Sequence, residues 1–139
     1  MKILILNGPN LNLQGQRDTA VYGSEGFDPW LERIRARYPA HEIDLLQSNV
    51  EGELINALHA SQGNFDGVVF NAGGYTHTSV ALRDAVAAIT TPVVEVHISN
   101  VAAREEFRHT SMLTPVCRGA ILGFGLESYR LAVEWFINQ

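Results

Sequence analysis

The sequence predicts a single α/β domain in which a five-stranded parallel sheet is covered by helices on both faces. Short apolar runs alternate with amphipathic segments along the 139 residues, which is the pattern of successive βαβ units. The apolar runs lack polar alternation, as expected for strands buried on both faces. Because this length is that of one domain, we expect residues 1–139 to form one unit.

Each predicted element follows from its apolar spacing and its flanking residues. The strands are expected at 2–6, 42–46, 67–70, 93–96 and 120–122. The helices are expected at 25–38, 50–62 and 78–89, the last with Thr76 or Thr78 as its cap, and over the C-terminal segment 129–137. Residues 104–107 are expected to hold one helical turn. This strand order is typical of a flavodoxin-like doubly wound sheet, whose ligands bind beyond the carboxyl ends of the strands.

Composition argues against several classes of partner. The formal net charge of −5 does not supply the basic face that nucleic acids and anionic membranes require. No run approaches the roughly 20 apolar residues of a membrane span, and the N-terminal run is too short for a signal peptide. The single Cys117 cannot form an internal disulfide, which fits a reducing cytoplasm. Together with the charge and the apolar pattern, we expect a cytoplasmic protein without nucleic-acid or membrane partners.

The scarcity of lysine and cysteine removes several kinds of chemistry. Lys2 is the only lysine and starts the first strand, so neither a Schiff base nor a Walker-type phosphate loop can form. The five histidines lack paired ligand spacing, and we expect no metal. Neither a Gly-x-Ser-x-Gly elbow nor a Gly-x-Gly-x-x-Gly run after the first strand is present, which argues against a serine nucleophile and a dinucleotide site.

A long polar loop is predicted after the first strand, over about residues 8–24. Such connections usually have about 2–6 residues, and longer ones are commonly lids or binding loops. The loop carries Asn10, Arg17 and Tyr22. One or two arginines beside a tyrosine can lower its pKa by the roughly three units that a general base needs at neutral pH. The alternative is a surface loop with an incidental arginine–tyrosine pair.

The loop after the third predicted strand, residues 71–79, also has features of a binding loop. Its adjacent glycines allow a ligand to approach the backbone closely. Asn71 and His77 offer hydrogen bonds to hydroxyl groups. The alternative is a turn whose hydroxyl residues serve only to cap the following helix.

The loop after the fourth predicted strand carries a candidate acid. Glu95 and His97 share one side of an extended chain, so the carboxylate can orient the histidine and favour its charged form. A histidine at this edge of the sheet is a suitable general acid, and the amides of Ile98 and Ser99 can bind a carboxylate. The alternatives are a structural histidine here and a solvated turn in the charged run 104–108 that follows.

Taken together, these segments resemble the type II 3-dehydroquinate dehydratases. Residues 7–13, 71–85 and 95–108, with Arg17 and Tyr22 between them, match in order and spacing over nearly the whole chain. The resemblance implies a hydro-lyase that removes water from 3-dehydroquinate by anti elimination through an enolate, without metal, cofactor or Schiff base. It also implies one catalytic domain that assembles as a dodecamer built from trimers.

The resemblance further implies a role for each candidate residue. Tyr22 is the base, as tyrosinate, with Arg17 and Arg104 as its positive neighbours. Asn10 holds a water that stabilises the enolate oxygen. His97, oriented by Glu95, protonates the departing hydroxyl. The implied substrate contacts are Asn71, His77, Ile98, Ser99 and Arg108, with Asp84 reaching into a neighbouring subunit's site.

The chain departs from the family pattern at two places. The family lid commonly reads Leu-Gly-x-Arg-Glu-Pro, whereas residues 14–19 lack the glutamate and the proline. Ala102 stands where the family often has a larger residue. The alternative function is therefore a catalytically impaired homologue or a small-ligand-binding module on the same fold. The sequence does not distinguish aromatic biosynthesis from quinate breakdown, since both use this reaction.

Overall fold

The structure, a computed structural model, describes residues 1–13 and 26–139. Within these ranges, five parallel strands form one sheet in the order β2-β1-β3-β4-β5. The strands are β1 Lys2–Asn7, β2 Glu42–Gln47, β3 Gly67–Asn71, β4 Val93–His97 and β5 Gly119–Leu122. This order confirms the predicted flavodoxin-like parallel sheet. Arg17, Tyr22 and most of the predicted lid lie outside the described residues.

Helices cover both faces of the sheet and bury two apolar layers. In the described ranges the α-helices are α1 Phe27–Arg37, α2 Glu51–Ser61, α3 Val80–Ala88 and α4 Glu127–Ile137. Helices α1 and α4 pack on one face, around Ile5, Trp30 and Phe136. Helices α2 and α3 pack on the other, around Leu6, Leu58 and Leu82. Because β1, β3 and β4 are buried almost throughout, both layers are closed to water.

Two local predictions need correction. The cap of α3 is Ser79, whose Oγ accepts the amide proton of Leu82 at 2.9 Å, so Thr76 and Thr78 are not the cap. A 3-10 helix over Gly73–His77 includes Thr76 and is followed by Thr78 as its C-cap, so α3 begins only at Val80. The turn predicted at 104–107 is replaced by two 3-10 turns, Val101–Ala103 and Glu106–Arg108.

The strand register brings polar side chains to the carboxyl edge of the sheet. Asn7 stands beside Gln47 of β2 and Asn71 of β3. Glu95 and His97 lie at the end of the adjacent β4. Asn7, Asn71, Glu95 and His97 are all buried, so each must find hydrogen bonds within the protein. None of the described helices is long and apolar enough to cross a membrane.

Tyr129 of α4 supplies hydrogen bonds to two of these buried groups. Its phenol donates to Asn7 Oδ1 and accepts from Asn71 Nδ2, each at 2.8 Å. Asn71 Oδ1 in turn accepts the amide proton of Gly73 at 3.1 Å, which fixes the start of the loop after β3. Burial raises the pKa of Tyr129 well above its usual value, so the phenol stays neutral and keeps its proton for Asn7.

The Tyr129→Phe variant should lose about 1–3 kcal/mol of unfolding free energy, because Asn7 Oδ1 and Asn71 Nδ2 each lose their hydrogen bond to the buried phenol. Chemical denaturation measures the loss. The matched control is Tyr38→Phe, whose phenol donates to the half-buried carboxylate of Glu134 near solvent and should lose less stability. Equal losses in the two variants would contradict the role given to Tyr129.

Candidate active site

A cavity of about 120 Å³ lies at the carboxyl edge of the sheet, between the loops that follow β1, β3 and β4. Its walls combine amide, imidazole and guanidinium groups with exposed backbone. The predicted site residues among its lining are Asn10, Asn71, His77, His97, Ile98, Ser99, Arg104 and Arg108. The structure therefore brings together residues that are up to 98 positions apart in the sequence.

The loops after β1 and β3 contact each other through backbone, with no room for a side chain between them. The amide of Gly8 donates to the carbonyl of Asn71 at 2.7 Å. A Cβ at position 8 would lie 2.5 Å from the carbonyl oxygen of Ala72, so only glycine fits. The carbonyl of Gly8 also accepts from Gln47 Nε2 at 3.1 Å. One wall of the cavity is consequently a rigid backbone junction.

Asn10 stands just beyond this junction in a left-handed conformation, with φ of 70°. Asparagine tolerates this region better than most residues do. Asn49 Oδ1 accepts the amide proton of Asn10 at 2.9 Å and that of Gln47 Nε2 at 3.1 Å. Asn49 therefore holds the backbone of Asn10 in place from outside the cavity.

Glu95 and His97 form a buried hydrogen-bonded pair at the end of β4. Their Oε2 and Nε2 atoms lie 2.5 Å apart, with the side chains 2% and 7% exposed. This pairing commits Nε2 to the carboxylate and leaves Nδ1 as the ring nitrogen that is not bonded to Glu95. The predicted orientation of the histidine by the carboxylate is therefore present in the geometry.

The charge of Glu95 is held by donors on the connection between β4 and β5. Ser111 Oγ lies 3.1 Å from both carboxylate oxygens, and Thr114 Oγ1 donates to Oε1 at 2.6 Å. Burial raises the pKa of Glu95, but the hydrogen bonds from His97, Thr114 and Ser111 outweigh burial and keep this pKa below its usual value. The group is thus a carboxylate at neutral pH.

His77 lies beside His97, with ring centroids 6.2 Å apart and planes nearly parallel at 20°. His77 Nδ1 lies 2.8 Å from the carbonyl oxygen of Thr110. Because a carbonyl only accepts, Nδ1 must carry the proton, and Nε2 of the neutral ring is an acceptor. A ligand hydroxyl is the group that this arrangement favours.

Two arginines give the cavity its positive charge. Arg104 and Arg108 both line it, with side chains about one-fifth exposed at 20% and 22%. Arg108 Nε donates to Glu105 Oε2 at 2.7 Å, and this hydrogen bond lowers the pKa of the Glu105 carboxyl. Arg104 Nη1 makes a longer contact of 3.4 Å to Ser99 Oγ. A small anion is the ligand that this charge favours.

Four predicted site residues are absent from the described lining of this cavity, and one of them, Glu95, stands behind His97 and is bonded to it. Arg17 and Tyr22 lie outside the described residues. Asp84 is on α3, where its exposed carboxylate pairs with Arg83 at 3.6 Å and does not line the cavity of its own chain. Its expected role in a neighbouring subunit's site stays a prediction.

Sequence reasoning missed the residues that support the site from behind, namely Ser111, Thr114, Tyr129 and Asn49. Tyr129 opens the segment predicted as the C-terminal helix, and its ring packs against Phe27 and Trp30. The hydroxyl pair at 111 and 114 was the available signal, since polar residues near the sheet edge need partners. No pattern in the sequence, however, indicates which carboxylate they reach.

The fold and the cavity together define a doubly wound α/β protein whose sheet-edge cavity is lined by imidazole, amide and guanidinium groups. A sequence model of the family "Dehydroquinase class II" matches residues 1–137. This chain belongs to that family.

Individual relatives agree over nearly the full length of the chain. A 3-dehydroquinate dehydratase from an Exiguobacterium species is 55% identical, covering 100% of this chain and 96% of the relative. The 3-dehydroquinate dehydratase of Bacillus pumilus is 52% identical, covering 98% and 94%. The crystal structure of type II dehydroquinase from Butyrivibrio crossotus superposes with a TM-score of 0.94 at 44% identity, covering 99% of this chain and 97% of that one.

Proposed function

We propose that this chain is a single catalytic domain that converts 3-dehydroquinate to 3-dehydroshikimate by anti elimination of water. The observation that carries the proposal is the buried Glu95–His97 pair at a cavity that also presents two arginines. A buried carboxylate that orients an imidazole is the arrangement expected of a general acid. The positive lining suits a substrate that bears a carboxylate.

In the proposed reaction Tyr22, as tyrosinate, removes a proton from the carbon beside the ketone. The electron pair left on that carbon is delocalised onto the ketone oxygen as an enolate. Arg17 is the expected neighbour of Tyr22. Arg104 on the cavity wall is the second positive group that stabilises the Tyr22 phenolate. A water held by Asn10 donates to the enolate oxygen.

His97 completes the elimination. As imidazolium it gives its Nδ1 proton to the tertiary hydroxyl, the C–O bond breaks, and the enolate electrons form the carbon–carbon double bond as water leaves. Glu95 keeps the Nε2 proton in place and stabilises the charged ring before transfer. These steps use only side chains of the protein and one water, and we propose that no metal or cofactor participates.

The remaining lining residues bind the substrate. His77 Nε2 and the amide of Asn71 hold its hydroxyl groups, since each retains hydrogen-bonding capacity beyond its bonds within the protein. Arg108 and the backbone amides of Ile98 and Ser99 hold its carboxylate.

Asp84 is proposed to complete the site of another copy of the chain, within a dodecamer built from trimers. The support is its position, because an exposed carboxylate outside its own cavity can serve a site only from a second molecule. Sedimentation should therefore return a multiple of three chains, and Asp84→Asn should raise KM in the assembled protein. A monomer with full activity would contradict this part of the proposal.

Purified protein should generate an enone absorbance from 3-dehydroquinate in the presence of a metal chelator. Borohydride added with substrate should not inactivate it, because Lys2 is the only lysine and starts a strand at the opposite edge. Thermal protection by 3-dehydroquinate without turnover would instead support the alternative, a binding module or an impaired homologue. That alternative is favoured by the atypical residues 14–19 alone.

The Tyr22→Phe variant should fold normally but lose turnover by roughly 10²–10⁴-fold, which is the usual contribution of a general base. The initial rate of enone formation measures the loss, and circular dichroism checks the fold. Tyr38→Phe, distant from the cavity, is the control. Near-normal turnover by Tyr22→Phe would show that another group is the base.

A further inference from the structure

Ser111 and Thr114 occupy a place behind the acid–base pair that the proposed function leaves without a role. Both lie on the connection between β4 and β5, and neither is among the described residues that line the cavity. Their hydroxyl groups instead contact Glu95, which lies between them and His97. Their hydroxyl groups are thus linked to His97 through this carboxylate.

The direction of the Ser111 hydroxyl is fixed by the backbone that follows it. Its oxygen accepts the amide protons of Leu113 and Thr114, both at 3.1 Å. Because these bonds occupy its lone pairs, its own proton must point away from them, toward the Glu95 oxygens 3.1 Å away. The donor is thus oriented by the chain before any ligand arrives.

The two hydroxyls and His97 together use both oxygens of Glu95. Oε1 accepts from Thr114 and Ser111, while Oε2 accepts from Ser111 and His97. A proton added to either oxygen would face a donor that already points at it. The arrangement therefore fits the ionised carboxylate and disfavours the neutral acid.

We propose that Ser111 and Thr114 are positioning residues that keep Glu95 ionised and aim its Oε2 at Nε2 of His97. This proposal rests on the proposed role of His97 as the acid. The carboxylate keeps the Nε2 proton on the ring, so the proton that His97 transfers is the one on Nδ1. Loss of either hydroxyl weakens the hold of Glu95 on the Nε2 proton, and it does not remove a group that touches the substrate.

Several other ionisable groups lie near the Glu95 carboxylate, and every variant compared below retains them. His97 bonds to it directly, and Cys117 interacts with it electrostatically. A second cavity, of about 370 Å³, places His77, Arg108 and His109 beside Glu95 and Ser111. Because these groups stay unchanged in the variants below, a change in pH dependence reports on the hydroxyl that was removed.

The Thr114→Val variant removes the hydroxyl and keeps the shape of the side chain. We expect kcat at neutral pH to fall roughly tenfold to hundredfold, with KM within about twofold, since one hydrogen bond to a charged group is lost. The acid limb of kcat should move to higher pH. The sign follows because the donors lower the pKa of Glu95, so removing one lets the carboxylate protonate sooner as the pH falls.

Carbon-13 NMR titration of the Glu95 carboxyl, assigned with Glu95→Gln, gives a readout that does not depend on turnover. The pH midpoint of the Glu95 titration should rise in Thr114→Val and in Ser111→Ala. Ser111→Ala serves as the test if Thr114→Val folds poorly. Thr114→Ser keeps the hydroxyl and should restore both kcat and the titration. Ser61→Ala is the matched control, because it removes a buried hydroxyl that donates to the Leu58 carbonyl on α2.

Two results would overturn the proposal. One is an unchanged Glu95 titration with normal kcat in both Thr114→Val and Ser111→Ala. The other is a Thr114→Ser variant as impaired as Thr114→Val, which would assign the effect to packing. If the unmodified protein does not turn over 3-dehydroquinate, the proposed function fails, while the titration still decides whether the two hydroxyls hold Glu95 ionised.

Discussion

The buried negative charge of Glu95, below the carboxyl edge of the sheet, is the constraint on which the rest of this site depends. Glu95 is 2% exposed, and an isolated carboxylate there would either protonate or destabilise the fold. The chain meets this demand with an imidazole two residues away on the same strand and with hydroxyls brought back by the following connection. The same connection carries Arg104 and Arg108 to the cavity, so ligand binding and the support of the carboxylate share one segment.

On the neighbouring strands, a second cluster of buried polar groups satisfies its hydrogen bonds with uncharged side chains alone. Asn7 and Asn71 end adjacent strands, and the Tyr129 phenol bridges them from the C-terminal helix. Parallel strands necessarily bring their carboxyl ends to one edge, so buried polar groups accumulate there. Helix α4 thereby connects the core packing on one face to the loop that presents Asn71 and His77.

The sequence predicts the fold and most residues that line the cavity, but it does not predict the residues that hold them in place. The reason is physical. Strand and helix positions follow from local periodicity, and the parallel order follows from the handedness of βαβ connections. Glu95 and His97 were found because their spacing on one strand fixes their contact. Ser111 and Asn49 reach their partners through irregular connections whose path no periodicity encodes. The cap at Ser79 was missed for the same reason, since a 3-10 helix intervenes.

The chain's one thiol has a practical consequence. Cys117 packs beside the layer formed by α2 and α3, and burial raises its pKa to about 12. At neutral pH only about one molecule in 10⁵ then carries the reactive thiolate. A cysteine introduced on the surface would therefore react with a fluorophore or spin label in preference to the native Cys117, which can be left in place. Distances between such a probe and the cavity can thus be followed in the otherwise unaltered protein.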